Sequence, residues 1–397
     1  MDSRRHFLGK VASGLGTLAS VPARALGAND RIRFGIIGFG DRGTELFHLL
    51  KACPNTEAAA FADVYTKHLE KAPGAQYQDY RRLLDDKSID AVIVATPQHL
   101  HAEHFCASLD AGKHVYQEKT MAFTVDHAKR MRAAHRGTAK VVQIGHQSCS
   151  FGQMNDVRAF LSQPERMGRI TAINMRMYRN TPLAKPAWTR RAQITADVNP
   201  QNVAWESFLG EAPAREFDAN RFIHWRLFED YSGGNVHENM SHQLAFWYKA
   251  LDLEIPKAVT MTGGVYLWKD GREVPDTMAV AIEQPENMLI TWTSGFGNNQ
   301  PGVSEDVLGT HGTIARDQQV RYLPQKVNRP TGNEITGRAG HPPQVHLQNF
   351  VDAIRGTAKP NCPFELGYRV SIASSMAVES FRLGRTVRWD AKKEEIV

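Results

Sequence analysis

Arg31-Ile32-Arg33-Phe34-Gly35-Ile36-Ile37-Gly38-Phe39-Gly40-Asp41-Arg42-Gly43 is the stretch that decides the fold. Its first half is a short apolar run, the pattern of a buried parallel strand. The run passes directly into Gly38-x-Gly40-x-x-Gly43. Residues 45–52 then read as a helix with Leu46, Leu49 and Leu50 on one face. A second apolar run, 58–62, ends at Asp63, which lies 20 residues after Gly43. Three spaced glycines alone say little. A strand before them, a helix after them and an acid at this distance make a dinucleotide-binding turn. Gly38 allows the tight turn, Gly40 lets backbone approach a pyrophosphate, and Gly43 lets the helix pack closely on the strand. The helix N-terminus offers unpaired N–H groups to the phosphates. Gly38, Phe39, Gly40, Asp41, Arg42 and Gly43 are therefore expected to cradle the cofactor. Asp63 is expected to accept hydrogen bonds from the adenosine ribose, and its charge repels a 2′-phosphate. NAD is expected over NADP, with Arg42 leaving NADP open if it sits near that phosphate.

Working outward, the alternation continues. Strands are read at 91–95, 114–118 and 141–145, and helices at 100–111 and 124–135. Alternating strands and helices predict a doubly wound α/β domain, with ligands beyond the carboxyl ends of the strands. Thr96-Pro97 and Glu118-Lys119 stand at such ends, as do the glycine turn and Asp63. Thr96-Pro97 with His101, then Ala111-Gly112-Lys113-His114-Val115, then Glu118-Lys119, resembles the Gfo/Idh/MocA family, that of glucose–fructose oxidoreductase and inositol dehydrogenase. The resemblance implies that His101, Glu118 and Lys119 join the cofactor site, and that Lys119 lies near the nicotinamide and the reacting hydroxyl. The usual Glu-Lys-Pro is Glu118-Lys119-Thr120 here. It also implies a homo-oligomer formed through the sheet of a second domain. His99, His101 and His104 invite a metal reading, but no carboxylate or cysteine stands at ligand spacing, so no metal is expected.

After residue 147 the pattern changes. Strands at 170–177, 258–262, 277–283 and 288–293 are not separated by helices throughout, which predicts an α+β domain with an open, mainly antiparallel sheet. The expected organisation is a leader at 1–28, a Rossmann domain at 29–147 and a substrate domain at 148–397. Gly233-Gly234-Asn235-Val236-His237-Glu238-Asn239-Met240-Ser241-His242 reads as a turn entering a helix over 243–251. Glu238 and His242 are four apart, so on one helical face the carboxylate would orient the imidazole. The family has a motif of this shape with Asp first and His second. Glu238 replaces that Asp, and a further Asp three residues after the His is Ala245. Arg179, Asn180, Trp225 and Arg226 are weaker candidates for substrate contact, since aromatic rings and amides suit a sugar. Tyr178 and His237 are alternative bases. Cys149 stands where relatives carry an Arg. Residues 344–355 and 367–383 read as helices returning to the first domain, and 386–389 as a strand.

The chain has 397 residues, 42% hydrophobic and 23% charged, which excludes a disordered chain or a disulfide knot. No apolar run reaches the ~18 residues of a membrane span. Ser3-Arg4-Arg5-His6-Phe7-Leu8, the weakly apolar 11–21 and Ala23-Arg24-Ala25 resemble a twin-arginine export signal. Cleavage after Ala25 removes Arg4, Arg5, Lys10, Arg24 and Asp2 and takes the formal charge from +6 to +3. That is too small to argue for nucleic acid, and no basic block accompanies it. Cys53, Cys106, Cys149 and Cys362 form no Cys-x-x-Cys pair and are expected as free thiols, since twin-arginine substrates fold before export. The expected protein is a periplasmic NAD(P)-dependent oxidoreductase of a sugar or polyol hydroxyl, with a tightly bound cofactor and the export machinery as partner. His242 would be the base, Lys119 the electrostatic stabiliser and Glu238 the residue orienting His242. The alternative is a redox-neutral NAD-dependent glycoside hydrolase or lyase working through a transient 3-keto sugar.

Overall fold

The computed structural model describes residues 31–189, 194–300, 302–325 and 343–397; the twin-arginine segment lies outside them. The first sheet has six parallel strands in the order β3-β2-β1-β4-β5-β6. They are β1 (Ile32–Ile37), β2 (Thr56–Ala62), β3 (Ala75–Tyr77), β4 (Ala91–Val94), β5 (His114–Gln117) and β6 (Val142–Ile144). The reversal of order between β1 and β4 opens a crevice at their carboxyl ends, where the glycine turn and Thr96 stand. β4 is buried throughout, as a strand covered on both faces must be.

Helix α1 runs Asp41–Lys51, starting four residues earlier than the sequence suggests. Asp41 in its first turn favours that start, because an acid there complements the helix dipole. Strand β3 was not expected. It is only three residues long, with two of them exposed, so it carries no apolar run; it is held by pairing with β2.

The second sheet has nine strands in the order β13-β12-β11-β7-β10-β9-β8-β14-β15. These are β7 (Ile170–Tyr178), β8 (Ala258–Gly264), β9 (Thr277–Glu283), β10 (Leu289–Gly295), β11 (Val303–Gly309), β12 (Gly312–Arg316), β13 (Val320–Pro324), β14 (Val387–Asp390) and β15 (Glu395–Ile396). β7 and β10 are parallel, and the other pairings are antiparallel. Alternation decides the faces. Met278, Val280 and Ile282 of β9 and Ile290 and Trp292 of β10 point inward. They share one core with Leu244, Trp247, Ile372 and Met376 of the helices Ser241–Leu251 and Phe364–Leu383. The sequence does not mark β11–β13, because Ser304-Glu305-Asp306 interrupts the apolar residues of β11 and β12 and β13 are only five residues each; β11 is held in the sheet by β7.

The chain then returns to the first domain. Leu347, Phe350 and Val351 of the helix Gln344–Ile354 pack on Phe34, Ile36, Ile93 and Tyr116. Three of the cysteines are buried and all four are free thiols. Among the described residues no helix is long and apolar enough to cross a membrane.

Candidate active site

A cleft of about 1100 Å³ lies between the two sheets. Gly38, Gly40, Asp41, Arg42, Asp63, Thr96, Pro97, Glu118 and Lys119 line it from the first domain. Arg179, Trp188, Trp225, Arg226, Glu238 and His242 line it from the second. The glycine turn has the local shape a dinucleotide needs. Gly38 has φ +87, and a Cβ there would stand 2.8 Å from the backbone of Ala95. A Cβ at 43 would stand 1.9 Å from the Gly38 carbonyl, so helix and turn meet only through glycine. At Gly40 the nearest protein atom would be 3.5 Å from a Cβ. The fold itself therefore does not demand glycine at 40, and the bare backbone leaves room on the cleft side for a phosphate. No side chain caps α1, so its first N–H groups face that room without a side-chain partner. The residues present thus fit a dinucleotide.

Around this turn some roles change. Phe39 gives no side chain to the cleft; its ring packs on Phe61 at 4.6 Å, and its N–H donates to Asp63 Oδ2 at 2.6 Å. Asp63 stands at the end of β2 and lines the cleft, with Oδ1 accepting from the Tyr65 N–H at 2.9 Å and His68 Nδ1 3.1 Å from Oδ2. Arg42 makes no described contact with Asp63. Its guanidinium turns to the opposite side and donates to Glu118 Oε1 at 2.6 and 2.8 Å, with Glu45 at 2.8 Å. The attraction of the largely buried Glu118 decides this direction, and it keeps the guanidinium protonated against the penalty of burial. His101 is buried and does not line the cleft. Its buried ring spans two loops, with Nδ1 2.7 Å from the Thr120 carbonyl and Nε2 2.9 Å from the Thr96 carbonyl. It ties the loop after β4 to the one after β5. The neighbouring rings are likewise engaged, His99 with the Phe208 carbonyl at 2.6 Å and His104 with Thr96 Oγ1 at 3.1 Å.

The other end of the cleft is built across the domain boundary. Lys119 Nζ donates to Glu238 Oε2 at 3.0 Å and to the Glu238 carbonyl at 3.1 Å. The other oxygen of Glu238 accepts from Gln98 Nε2 at 2.7 Å and faces Arg226 Nε at 3.3 Å. Burial alone would raise the Glu238 carboxyl, but Lys119 and Arg226 overcome that and hold it down to about 2. The expected Glu238–His242 contact is absent. Val236–Met240 forms a π-helical turn ahead of the helix Ser241–Leu251, and the carboxylate goes to the cations across the cleft instead of its own helix. His242 still lines the cleft. Burial, then the charges of Lys119 and Arg42, push its imidazole well below the ordinary value.

Three residues escaped the sequence reading. Gln98 bridges the domains: besides Glu238, its Oε1 accepts from the Gly233 N–H at 3.1 Å and lies 3.1 Å from His237 Nδ1. Its place directly after Thr96-Pro97 was the available signal. Asn239 accepts from Arg179 Nη2 at 2.6 Å. His146 is fully buried behind His242, ring edge-on at 5.5 Å, and neither of its nitrogens is bonded among the described residues. Conversely, Asn180 is exposed and pairs its backbone with Gly297 outside the cleft. His237 is buried within the domain junction and Cys149 lies against the Ala245 carbonyl, so neither lines the cleft.

Comparison with known proteins agrees with this geometry. Residues 32–146 match the Gfo/Idh/MocA family described as "Oxidoreductase family, NAD-binding Rossmann fold". The chain is 24% identical over 293 residues to 2,7-anhydro-N-acetylneuraminate hydratase of Escherichia coli, covering 72% of this chain and 68% of that protein. It is 30% identical over 122 residues to inositol 2-dehydrogenase of Salmonella typhimurium, covering 29% of this chain and 36% of that protein. The match therefore spans about two thirds of the first relative but little more than a third of the second. The fold resembles the WlbA dehydrogenase of Bordetella pertussis, solved with NADH and UDP-GlcNAcA, at a TM-score of 0.68 and 18% identity, covering 91% of this chain and 99% of that one. With the glycine turn and the 3-2-1-4-5-6 sheet in agreement, residues 32–146 form a Rossmann domain that matches the NAD-binding domain of the Gfo/Idh/MocA oxidoreductase family.

Proposed function

We propose that this protein oxidises a hydroxyl of a sugar or polyol using a nicotinamide dinucleotide held in the cleft. The observation that carries the reading is that Lys119 and His242 line the same cleft as the Gly38–Gly43 turn, from opposite domains. A bound nicotinamide supplies the hydride acceptor. His242, kept neutral by its surroundings, takes the hydroxyl proton. Lys119 donates to the same oxygen and stabilises the negative charge that develops on it. Glu238 acts through Lys119, whose ammonium it holds at the cleft wall. Trp188 and Trp225 offer flat apolar faces for a sugar ring. Asp63 and the turning away of Arg42 favour NAD.

The Arg4-Arg5 segment supports export of the folded protein to the periplasm. There the dinucleotide has to be loaded beforehand and kept, and tight retention follows. Self-association through the nine-stranded sheet belongs to the same reading; half-exposed Leu289 and Val303 support it. A redox-neutral hydrolase or lyase cycle through a transient 3-keto sugar is the second reading, favoured by the likeness to a hydratase over most of the chain.

Denaturing the purified protein should release about one nicotinamide dinucleotide per chain, consistent with very tight binding. Protein that purifies empty, and works only with added dinucleotide, would contradict retention. Product analysis on a panel of sugars and glycosides separates net oxidation from hydrolysis or elimination. Asp63→Ala should weaken retention about tenfold or more, since hydrogen bonds to a charged group are worth roughly 1.5–3 kcal/mol. Dinucleotide content equal to wild type after dialysis would remove Asp63 from the ribose.

A further inference from the structure

At the inner end of the cleft, among the described lining residues, the two cations Lys119 and Arg226 stand on one carboxylate, Glu238. Asp41, Glu45, Asp63 and Asp79 line the dinucleotide end, and Glu118 is held by Arg42. Glu238 has little left to offer a ligand. One oxygen takes Lys119, and the other takes Gln98 and Arg226. Gln147, Thr181 and His242 also line the cleft and can meet the hydroxyls of a sugar, whereas the charged groups not absorbed by Glu238 are donors.

Arg226 shows the bias most clearly. Its guanidinium lies 4.2 Å over the Trp225 ring and reaches Glu238 through Nε alone. The side chain is 37% exposed, and its two terminal nitrogens bond no described residue. A guanidinium stacked on an indole, with its outer edge open, is a fork for an oxyanion. Lys119 and Arg226 sit on the two oxygens of one carboxylate, so the two ends of a single sugar ring can reach both.

We propose that the substrate is an anionic carbohydrate, bearing a carboxylate or a phosphate monoester that the terminal nitrogens of Arg226 receive while Lys119 and His242 meet a ring hydroxyl. This rests on the carbohydrate oxidoreductase reading above. Binding would give Arg226 a second anion and leave Glu238 more fully to Lys119.

The test uses the protein with its dinucleotide bound, and follows the absorbance of reduced nicotinamide on mixing with sugars. Four probes are compared in the gluco and galacto series: the methyl glycoside, its 6-phosphate, the methyl uronoside and the methyl ester of that uronoside. The charged probes should react about 10–100-fold more efficiently than the neutral ones, the range of a charge-assisted bidentate contact. Whichever of the uronoside and the phosphate leads identifies the anion. The preference should shrink at high salt, collapse in Arg226→Gln and survive in part in Arg226→Lys, which keeps the charge but not the fork. Neutral probes reacting as well as charged ones, or a preference unchanged in Arg226→Gln, would overturn the anion assignment and leave the carbohydrate reading standing. If no probe reduces the bound nicotinamide, the carbohydrate reading fails and this inference with it.

Discussion

Replacing Lys119 or His242 by alanine should nearly abolish turnover while leaving the dinucleotide in place. Loss of a general base costs about 10²–10⁴-fold, and loss of an electrostatic stabiliser about 10²–10³-fold. Neither side chain reaches the Gly38–Gly43 turn in the described contacts, so release on denaturation should stay at one dinucleotide per chain. The two variants should differ in pH dependence. A base must be neutral to accept a proton, and activity is lost as pH falls through its folded pKa. Burial and the charges of Lys119 and Arg42 push His242 well below the ordinary value. The acid limb of kcat/KM in the wild-type protein should therefore lie below the usual histidine range near pH 6.5. Lys119→Ala removes one of those charges, so its residual activity should show an acid limb displaced upward. Glu238→Gln should cost less than either alanine, because it removes only the anchor of Lys119. A His242→Ala protein with near wild-type rates would assign the proton transfer elsewhere, with Tyr178 as the next residue to replace. His237 is a poorer alternative than the sequence suggested, since its ring is buried and turned to Gln98.

Mild acid should destabilise the fold steeply, well before the carboxylates titrate. Burial, as the leading cause, pushes His99 and His346 down to about 4 and His104 and His237 down to about 3. Below the unfolded value near 6.5 the unfolded chain binds protons that the folded chain refuses, so stability falls with pH until the folded pKa is reached. Each of the four contributes about 1 kcal/mol of loss between pH 6.5 and 5.5, or about 4 kcal/mol together. That is a large part of a typical folding margin of about 5–15 kcal/mol. His68 works the other way. Burial opposes its charge, but Asp63 prevails and raises its pKa, so it contributes stability below pH 6.5 and loses it as pH rises through the folded value. One such group offsets only part of the loss. Thermal melts of the dinucleotide-loaded protein at pH 7.5, 6.5 and 5.5 should show a pronounced drop at the last step. A Tm independent of pH over that range would mean that these imidazoles reach solvent.

The first domain was legible because its signals are local. β1, the glycine turn, α1 and β2 follow each other within 32 residues, and each glycine answers a backbone requirement set by its neighbours. Runs such as Ala91-Val92-Ile93-Val94 announce a strand covered on both faces, and the alternation of Met278, Val280 and Ile282 announces one covered on a single face. The candidate site was legible only as an inventory. Lys119, Glu238, His242, Arg226 and Trp225 were all named from the sequence, and all line one cleft. Their partners were not legible. Spacing pairs Glu238 with His242, four residues away, but the fold brings Lys119, 119 residues distant, to 3.0 Å, and a buried carboxylate goes to the nearest cation. Arg42 turned from the ribose side to Glu118 for the same reason, and His101 was drawn inward by two loop carbonyls. Strand β3 carries no apolar pattern of its own and exists through pairing with β2, whereas β11–β13 contribute only the scattered core residues Val307, Ile314, Val320 and Tyr322 and depend on pairing with their neighbours. The sequence by itself determined the elements with their own periodicity and the residue types available for chemistry. Only the tertiary structure decided which charges meet, because a side chain's direction is set by whatever opposite charge or open hydrogen-bonding group packing brings within reach.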